Sequence, residues 1–523
     1  MKFAFVLFVN KTHDITMYVN IAYLVTAAKK VEGFDVEVFY FLSDEVDIAL
    51  ETIKQYGADI VGLSVTQKVL LVNMQFIKSI KLIVPDIILI LGNIESTCTW
   101  NYMMDNYSEI DYIVKGEGEH TLHDLLNFIA GRGLLESLKG VAYRSNGIIN
   151  ENPNRWHEID LDTLDFPDRS FMLDSRVRQH ALLCARGCYG ACTFCCANSI
   201  YEKNLPRQRS ISNIIADMKT LQNTYHSLQV LIIDPIFLNG SYDSILALYN
   251  ALLQEKFTFT FNFNFCCEMI DEKMAILFGK LRQVGLSHIF LGIESGNEFD
   301  LRLYGKKARL IDNERAIQLL REHNIITNYG FINFNPYTII DRLQSNVDFI
   351  KKHKLFVTLS TLSSNLRINA GVPILNKLRH DGLINIKKGS PVYNDEDYKY
   401  CDERVGELQK MTCLLSDELA IKFNVMDYYI LYDRYRRFMN DNDTIIFDNI
   451  KQIDEFISGI SIDLFQELID YTLYPNIGEF RVLLEKARNH SMEIYAMNKK
   501  IRKSILHMVK ELSKQDRYVH LIF

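Results

Sequence analysis

Three cysteines, Cys188, Cys192 and Cys195, stand in one short stretch of the chain, separated by three and then by two residues. An aromatic residue, Phe194, directly precedes the last of them. Each cysteine thiolate ligates one iron of an iron–sulfur cluster, so three thiolates hold a four-iron cluster and leave one iron open to a ligand that is not protein. The spacing therefore predicts an iron–sulfur centre at which chemistry can occur.

A zinc knuckle is the alternative interpretation, because cysteines at short spacing are common in zinc sites. A structural zinc ion takes four ligands, and no second knuckle follows at the distance found in zinc ribbons. Two more cysteines are near in sequence, but Cys184 lies in an apolar run that predicts a strand, and Cys196 directly follows Cys195. We therefore favour the cluster and place Cys184 and Cys196 outside its ligand set.

The stretch at residues 186–195, Arg-Gly-Cys-Tyr-Gly-Ala-Cys-Thr-Phe-Cys, resembles the signature of the radical S-adenosylmethionine (SAM) enzymes, which follows their first barrel strand. The resemblance implies a 4Fe-4S cluster on Cys188, Cys192 and Cys195, with the amino and carboxylate groups of SAM on the open iron. It also implies cleavage of SAM to methionine and a 5′-deoxyadenosyl radical, with Phe194 near the adenine. An external electron donor such as flavodoxin or ferredoxin is then expected.

Residues 1–135 predict a domain of alternating strands and helices that would precede this stretch. Its apolar runs are at residues 3–9, 36–41, 60–65, 87–91 and 112–114. Five strands that alternate with helices predict a parallel sheet with helices on both faces. Such sheets bind ligands at the carboxyl ends of their strands. The loops expected at those ends are residues 10–16, 64–67, 92–93 and 116–119.

The strand-end loops of this α/β domain resemble those of the Rossmann-like (flavodoxin-like) cobalamin-binding domain that precedes the barrel in one radical SAM subgroup. Many cobalamin domains supply a histidine to cobalt from an Asp-x-His-x-x-Gly loop, and His13 does not fit that pattern. The chain also has Gly-Asn-Ile at residues 92–94, where the subgroup often has Gly-Gly-Pro. The cobalamin contacts that the resemblance implies are Ser64, Thr66, Gly92, Asn93, Gly116, Glu117 and Gly118.

Residues 136–180 are predicted to be a linker, because residues 151–180 are polar and contain Pro153 and Pro167; strand and helix patterns alternate again after it. The resemblance implies a partial (β/α)6 barrel of the TIM type at residues 181–385, with the chemistry at the carboxyl ends of its strands. The predicted strands are residues 182–185, 230–233, 258–265, 289–293, 328–333 and 357–359.

The polar residues at those strand ends, Asp234, Glu294, Ser295 and Asn333, are predicted to contact SAM. A carboxylate in that position can bind the ribose hydroxyls or the amino group of SAM through charge-assisted hydrogen bonds. A helix cap or a surface carboxylate is the plainer alternative for Glu294.

Residues 386–523 carry no catalytic motif, and we expect a helical C-terminal domain. Residues 499–514 fit an amphipathic helix with a solvated basic face. The aromatic residues of this part are more typical of a core than of a substrate pocket. They include Tyr428, Tyr429, Tyr432, Tyr435 and Phe438.

The composition excludes several classes of protein. The chain of 523 residues has a net charge of −7 and 24% charged residues, which does not predict binding to nucleic acid. No apolar run approaches the length needed to span a bilayer. Five of the ten cysteines lie at residues 184–196, around one loop, which is unlike a secreted disulfide framework. We expect a cytoplasmic protein without membrane or nucleic-acid partners.

These features together predict a cobalamin-dependent radical SAM methyltransferase. Methylcobalamin would deliver a methyl group to a carbon of a natural product, a small molecule or a peptide-like substrate. A non-methylating member of the same subgroup, which catalyses a ring contraction, a cyclisation or another rearrangement, is the first alternative. A cobalamin-binding regulator with a vestigial cluster is the second.

Overall fold

The computed structural model describes residues 1–10, 18–155, 160–172, 179–201, 206–386, 390–392, 398–419, 421, 428, 444–473 and 479–513. Its strands are β1 Lys2–Val9, β2 Asp35–Leu42, β3 Ile60–Ser64, β4 Ile88–Gly92, β5 Tyr112–Val114, β6 Val141–Ser145, β7 Ile148–Glu151, β8 Gln179–Leu182, β9 Ala185–Arg186, β10 Arg207–Gln208, β11 Gln229–Ile232, β12 Thr260–Phe265, β13 Leu286–Glu294 and β14 Thr327–Phe331.

The helices follow the same chain order. They are α1 Val19–Lys29, α2 Val46–Tyr56, α3 Leu70–Ile83, α4 Ile94–Asn106, α5 Glu119–Ile129, α6 Ala197–Ile200, α7 Ile211–Asn223, α8 Tyr242–Gln254, α9 Glu272–Gln283, α10 Glu298–Leu303, α11 Leu310–Glu322, α12 Ile340–His353, α13 Leu359–Leu362, α14 Ile374–His380, α15 Glu403–Leu419, α16 Thr444–Leu473 and α17 Glu479–Ser513.

The chain divides into two compact units. The first contains Met1–Glu255 and Arg367–Tyr398, and the second contains Lys256–Leu366 and Lys399–Phe523. These units do not follow the domain boundaries at residues 135, 180 and 385, which stay predictions.

The first unit contains a seven-stranded sheet in the order β2-β1-β3-β4-β5-β6-β7. Its first five strands are parallel, and they match the five strands predicted from the sequence to within two residues at each end. In this flavodoxin-like order, β2 is added on one side of β1 and the strands from β3 onward are added on the other side. Ligands of such sheets bind at this switch in strand order, between β1 and β3.

Alternation along β1 explains why helices cover both faces of this sheet. Successive side chains of a strand point to opposite faces, so a strand buried on both sides is apolar throughout. Ala4, Val6 and Phe8 pack in a core with residues of α2 and α3, whereas Phe3 and Phe5 pack in a second core with residues of α1 and α5.

The strands β6 and β7 extend this sheet in an antiparallel direction, although the sequence predicted a linker there. Val141 and Ala142 are buried, and the two-residue loop Asn146-Gly147 has positive φ angles of 50° and 76°. An Asn-Gly pair in this conformation is the strongest short-range signal for a β-hairpin. That signal was present in the sequence and would have corrected the prediction.

The first unit also contains a parallel strand pair, β8 with β11, and a short antiparallel pair, β9 with β10. The stretch that contains Cys188, Cys192 and Cys195, called the cysteine loop, connects β9 to β10. The second unit contains the parallel strands β12, β13 and β14, followed by the long helices α15, α16 and α17. The helical C-terminal region predicted from the sequence is thus present in the described residues.

One predicted strand, at residues 357–359, is wrong. Thr358 caps helix α13 there, since its hydroxyl accepts a hydrogen bond from the Thr361 amide at 3.1 Å. Val357 and Leu359 are buried, and a short apolar run does not by itself distinguish a strand from a buried helix end. The sixth strand is reduced to one parallel bridge between Phe334 and Asn365.

The C-terminal predictions are only partly covered by the structure. Helix α17 extends to Ser513, and the buried Ile501 and Ile505 beside the exposed Arg502 and Lys503 show an amphipathic pattern over residues 501–505. Tyr428 is buried, as expected of a core residue, whereas Tyr429, Tyr432, Tyr435 and Phe438 lie outside the described residues. His13 lies outside them too. None of the helices in the described ranges is both long and apolar enough to pass through a lipid bilayer.

Candidate active site

The cysteine loop is held at its base by the pair β9 and β10, in which Arg186 lies opposite Arg207. Within the loop, Gly190 lies between the first two cysteines. A Cβ atom at Gly190 would lie 3.2 Å from Cys188 Sγ and 3.9 Å from Cys192 Sγ. The two sulfurs therefore converge on one side of Gly190, and the glycine leaves room for them.

Backbone amides point at two of the three sulfurs. The Gly190 amide donates to Cys188 Sγ at 3.2 Å, and the Ala197 amide donates to Cys195 Sγ at 3.5 Å. Such hydrogen bonds stabilise the charge of a sulfur ligand and tune the potential of a cluster. The three predicted ligands are also all half-buried and accessible.

The two excluded cysteines have a different environment. Burial raises the pKa of Cys196 to about 11 and the pKa of the fully buried Cys184 well above its ordinary value. Both thiols are therefore protonated at neutral pH in the metal-free chain. Within the described ranges, no group of three His, Cys, Asp or Glu side chains is arranged to hold a single metal ion.

An ion network joins the base of the cysteine loop to the loop between β5 and α5. Arg186 donates to Glu117 Oε1 at 2.8 Å and to both carboxylate oxygens of Glu119, while Arg207 donates to Glu117 Oε2 at 2.7 Å. Burial raises the pKa of Glu119, but the charge of Arg186 outweighs that effect and keeps it below its ordinary value. Glu119 is thus ionised beside the buried Arg186, and Glu117 bridges Arg186 and the half-buried Arg207.

A cavity of about 150 Å³ opens at the carboxyl ends of β3, β4 and β5, and Phe3 and Phe5 of β1 border it. Its apolar wall includes Phe3, Leu24, Ile90 and Val114. Six of the seven predicted cobalamin contacts line it, namely Ser64, Gly92, Asn93, Gly116, Glu117 and Gly118. Thr66 does not line the cavity; it precedes a short 3-10 turn at Gln67–Val69. Contact of any of these residues with cobalamin stays a prediction.

Asn93 occupies the position of the second glycine in the Gly-Gly-Pro pattern and adopts a backbone conformation typical of glycine. Its φ and ψ angles of 81° and −174° lie in a region that is almost restricted to glycine. The side chain compensates, since Nδ2 donates to Ser64 Oγ at 2.9 Å and Oδ1 accepts from the Ile94 amide at 2.7 Å. The backbone therefore keeps the shape of a glycine loop despite the substitution.

Asp234, a predicted SAM contact, is fully buried and binds the backbone. Its carboxylate accepts hydrogen bonds from the amides of Cys184, Ala185 and Leu238 at 2.7, 2.9 and 3.3 Å. Burial raises its pKa to about 7. These contacts hold the chain just before the cysteine loop, which favours a positioning role over contact with SAM.

Glu294, in the second unit, occupies a strained position at the end of β13. Its φ is 64°, and the register with β14 shifts between Gly292 and Glu294. A Cβ atom at Gly292 would lie 2.6 Å from Glu294 Oε1, and one at Gly330 would lie 3.4 Å from Oε2. These two glycines are paired in register, so they form a slot, the Gly292–Gly330 slot, that receives the carboxylate.

Lys306 lies beside this slot. Its Nζ atom is 3.8 Å from Glu294 Oε1 and donates to the Gly292 carbonyl at 3.0 Å. Burial raises the pKa of Glu294, and Lys306 opposes that effect. Backbone strain of this kind clusters at binding sites, where the surrounding structure maintains it.

Ser295 and Asn333 meet at Asn346 rather than at a cavity. Ser295 Oγ donates to Asn346 Oδ1 at 3.0 Å, and Asn346 Nδ2 donates to Asn333 Oδ1 at 3.1 Å. All three side chains are buried. The network fixes the ends of β13 and β14, and the predicted SAM contacts of Ser295 and Asn333 stay untested.

Two segments of the chain match known protein families. Residues 7–126 match the B12 binding domain, and residues 182–346 match the radical SAM superfamily. The chain belongs to the cobalamin-dependent radical SAM enzymes.

Several proteins are similar to this cobalamin-dependent radical SAM enzyme. An uncharacterised methyltransferase of Pyrococcus horikoshii is 23% identical over 64% of this chain and 72% of its own length. The anaerobic magnesium-protoporphyrin IX monomethyl ester cyclase of Cereibacter sphaeroides is 25% identical over 60% of this chain and 52% of its own length. The chain thus spans about half of the cyclase.

A solved structure shows the same fold. It is that of the cobalamin-dependent SAM radical enzyme OxsB with aqua-cobalamin and SAM bound, which superposes with a TM-score of 0.71. The superposition covers 98% of this chain and 80% of that one at 17% identity. The cofactors of the enzyme family, a 4Fe-4S cluster, SAM and cobalamin, are those expected from the sequence.

The residues of this radical SAM enzyme fit those groups. Three accessible sulfurs, two of them with amide donors, suit a cluster in which each cysteine ligates its own iron. The cavity at the strand ends, with its apolar wall and glycine-rich rim, suits a flat heterocycle with a polar tail. The assignment of individual residues to these groups stays a prediction.

Sequence reasoning missed three residues that the structure places at the site, Arg186, Glu119 and Lys306. Arg186 was noted only as the start of the motif, although an arginine beside a metal loop is a natural partner for a carboxylate. Glu119 follows Glu117 by two residues, and no spacing rule links either to residue 186. Lys306 lies twelve residues after Glu294, so only the fold brings it back to the strand.

Proposed function

We propose that the protein is a methyltransferase that transfers a methyl group from methylcobalamin to a carbon of a natural-product or peptide-like substrate. One observation carries the proposal: the cavity predicted for cobalamin and the cysteine loop lie in one compact unit and share Glu117 and Arg186. The similarity to a methyltransferase of Pyrococcus horikoshii supports methyl transfer as the reaction.

The cofactors supply a 5′-deoxyadenosyl radical that removes hydrogen from an unactivated carbon and a cobalt-bound methyl group that replaces it. The chain's own residues position these groups. Cys188, Cys192 and Cys195 hold the cluster, Glu117 and Arg186 fix the base of its loop, and Glu294 offers a carboxylate to a bound cation or hydroxyl. An external flavodoxin or ferredoxin is the proposed source of electrons.

A substrate-independent experiment tests methyl transfer. The anaerobically purified protein is reconstituted with iron, sulfide and hydroxocobalamin, reduced with titanium(III) citrate and mixed with SAM that carries a trideuterated methyl group. We expect trideuteromethylcobalamin, measured by absorbance and mass spectrometry, together with 5′-deoxyadenosine. A variant with Cys188→Ala should still form the labelled corrin but no 5′-deoxyadenosine, because only the second reaction needs the cluster.

A non-methylating rearrangement is the second candidate, and the similarity to an anaerobic cyclase favours it. In that case the same experiment yields 5′-deoxyadenosine without labelled methylcobalamin. A protein that produces neither compound would instead support a regulatory role for the corrin site.

A further inference from the structure

The two ends of the cysteine loop share one carboxylate. Arg186 on β9 and Arg207 on β10 are opposite each other in register, and Glu117 accepts from one with each of its oxygens, at 2.8 and 2.7 Å. The Glu117 side chain is only 5% exposed. A single residue outside the loop therefore ties both of its ends together.

The same residue belongs to the wall of the cavity at the strand ends. Gly116, Glu117 and Gly118 all line that cavity. Gly116 has a φ of 69°, and a Cβ atom at Gly118 would lie 2.9 Å from the Leu24 side chain, so the backbone here depends on both glycines. Any ligand that fills the cavity contacts the segment that carries Glu117.

Arg186 also lines the cavity, and one of its hydrogen-bond donors, Nε–H, is not used by the described residues. Its side chain is 5% exposed, and its Nε–H has no acceptor among the residues that the structure describes. A buried donor without an acceptor costs free energy, which a ligand oxygen can recover. A phosphate, a hydroxyl or an amide oxygen on a corrin nucleotide tail has the required chemistry.

We propose that Glu117 and Arg186 couple occupation of the cavity by a corrin to the geometry of the cysteine loop. Filling the cavity fixes the segment of residues 116–119, and Glu117 then holds Arg186 and Arg207 in the positions that bring the cysteines together. The inference rests on the cofactors of the family and not on methyl transfer, so a non-methylating enzyme would show it as well.

Thermodynamic linkage makes the coupling measurable from either side. If a corrin favours the loop geometry that holds the cluster, the cluster must favour corrin binding by the same factor. Two groups that order the same segment bind cooperatively even without touching each other, because the second does not repeat the cost of ordering it.

The test measures the affinity for hydroxocobalamin by absorbance titration of the full chain, once without iron and once after cluster reconstitution, with no SAM present. For the natural protein we expect a dissociation constant at least about 5-fold lower in the cluster-loaded form, the lower end of typical coupling. The converse measurement is the rate of iron loss to a chelator, which the corrin should slow.

Three arms separate coupling from damage to the fold. Glu117→Gln keeps the size of the side chain, and we expect it to bring the ratio of the two constants to about 1. Asp111→Asn, which removes the ion pair with Lys81 at the opposite ends of the strands, should leave the ratio unchanged. Cobinamide, a corrin without the nucleotide tail, should show no coupling even with the natural protein.

Thermal unfolding of each cofactor-free variant identifies any that fails to fold, and Arg186→Lys then replaces Glu117→Gln, because lysine keeps the charge but lacks the Nε–H. A ratio near 1 in the natural protein would overturn the inference. An undiminished ratio in Glu117→Gln, or full coupling with cobinamide, would overturn it too. Formation of trideuteromethylcobalamin together with 5′-deoxyadenosine alongside such a result would leave the proposed function intact.

Discussion

Two glutamates, the buried Glu117 in the first unit and the half-buried Glu294 in the second, have opposite environments. Each oxygen of Glu117 accepts a hydrogen bond from an arginine. The carboxylate of Glu294 accepts none from the described residues, and its nearest cation, Lys306 Nζ, is 3.8 Å away. Burial raises the pKa of Glu294 despite that lysine. A carboxylate whose two oxygens already accept hydrogen bonds from the protein holds other parts of the structure in place. A carboxylate that accepts none can bind a ligand.

The backbone shows the same contrast. Glu117 follows Gly116, whose φ of 69° takes up the unusual conformation of that loop, whereas Glu294 itself has a positive φ of 64°. A conformation of this kind costs a non-glycine residue about 1–3 kcal/mol. The strain at Glu294 directs the carboxylate into the Gly292–Gly330 slot, so we infer that the second unit preserves it for ligand binding.

The largest expected effect comes from removing the cluster that the first unit is predicted to hold. Replacing Cys188, Cys192 or Cys195 with Ala should abolish 5′-deoxyadenosine formation and reduce the iron content to background, because each thiolate ligates a separate iron. Iron and sulfide analysis with electron paramagnetic resonance of the reduced protein measures the outcome.

Cys196→Ala is the matched control, since Cys196 adjoins a predicted ligand and burial raises its pKa to about 11. It should keep its iron. Substantial iron loss from Cys196→Ala, or 5′-deoxyadenosine from any of the three ligand variants, would show that the ligand set is wrong.

Removing the charge of Glu294 should have the next largest effect. Charge-assisted hydrogen bonds contribute about 1.5–3 kcal/mol, so Glu294→Gln is expected to raise the dissociation constant for SAM roughly 10-fold to 100-fold. The iron content should be unchanged. Equilibrium dialysis with the cluster-loaded, unreduced protein measures the affinity without turnover.

Ser295→Ala is the comparison here, because the Ser295 hydroxyl is occupied by Asn346. We expect it to lower the thermal stability and to alter SAM affinity less than Glu294→Gln does. A larger loss of affinity in Ser295→Ala would reverse the assignment of the two neighbouring residues.

The contrast between Glu117 and Glu294 also marks what the sequence can predict. The five parallel strands of the first sheet and the cysteine stretch follow local patterns of apolar residues and spacing, which one sequence contains. The partners of Asp234, Glu117 and Glu294 come from distant parts of the chain, and no local pattern encodes them. Four strand-end polar residues were therefore given one role, which stays a prediction, although their environments differ: Asp234 binds backbone amides, Ser295 and Asn333 bind Asn346, and Glu294 lies in the slot.

Closing the Gly292–Gly330 slot should have a smaller effect than removing the charge. Gly292→Ala places a methyl group 2.6 Å from the present position of Glu294 Oε1, so the carboxylate must move. We expect SAM affinity to fall about 5-fold, equivalent to roughly 1 kcal/mol of overpacking. The iron content should again be unchanged.

Gly279→Ala on α9 is the matched control, because no atom lies closer than 4.0 Å to its added methyl group. A helix interior favours alanine over glycine, so this variant should be slightly more stable and bind SAM normally. Equal SAM affinities for Gly292→Ala and the natural protein would show that the slot does not set the position of the carboxylate.

The pH dependence of stability is the smallest expected effect. It reports on Asp234, a buried carboxylate whose partners are backbone amides rather than charged side chains. The pKa of Asp234 is raised to about 7 by burial, so between its unfolded pKa near 4 and pH 7 the folded protein binds the proton that the unfolded chain releases. Its contribution therefore falls as the pH rises through this window, by at most about 1.4 kcal/mol per pH unit. Urea unfolding of the cofactor-free protein at pH 5 to 8 measures it.

Asp234→Asn should remove the part of the decline that Asp234 contributes, because the amide does not titrate, and leave the part from Glu95, whose pKa burial also raises to about 7. Asp168→Asn should leave it in place: burial raises the pKa of Asp168, but hydrogen bonds from Lys29 and Ser170 outweigh burial and keep it below its ordinary value. Its titration therefore falls below the window. If Asp234→Asn kept the full slope, the carboxyl would be ionised throughout, and its three amide donors would outweigh burial. Asp234 would then resemble the charge-compensated Glu117 rather than Glu294.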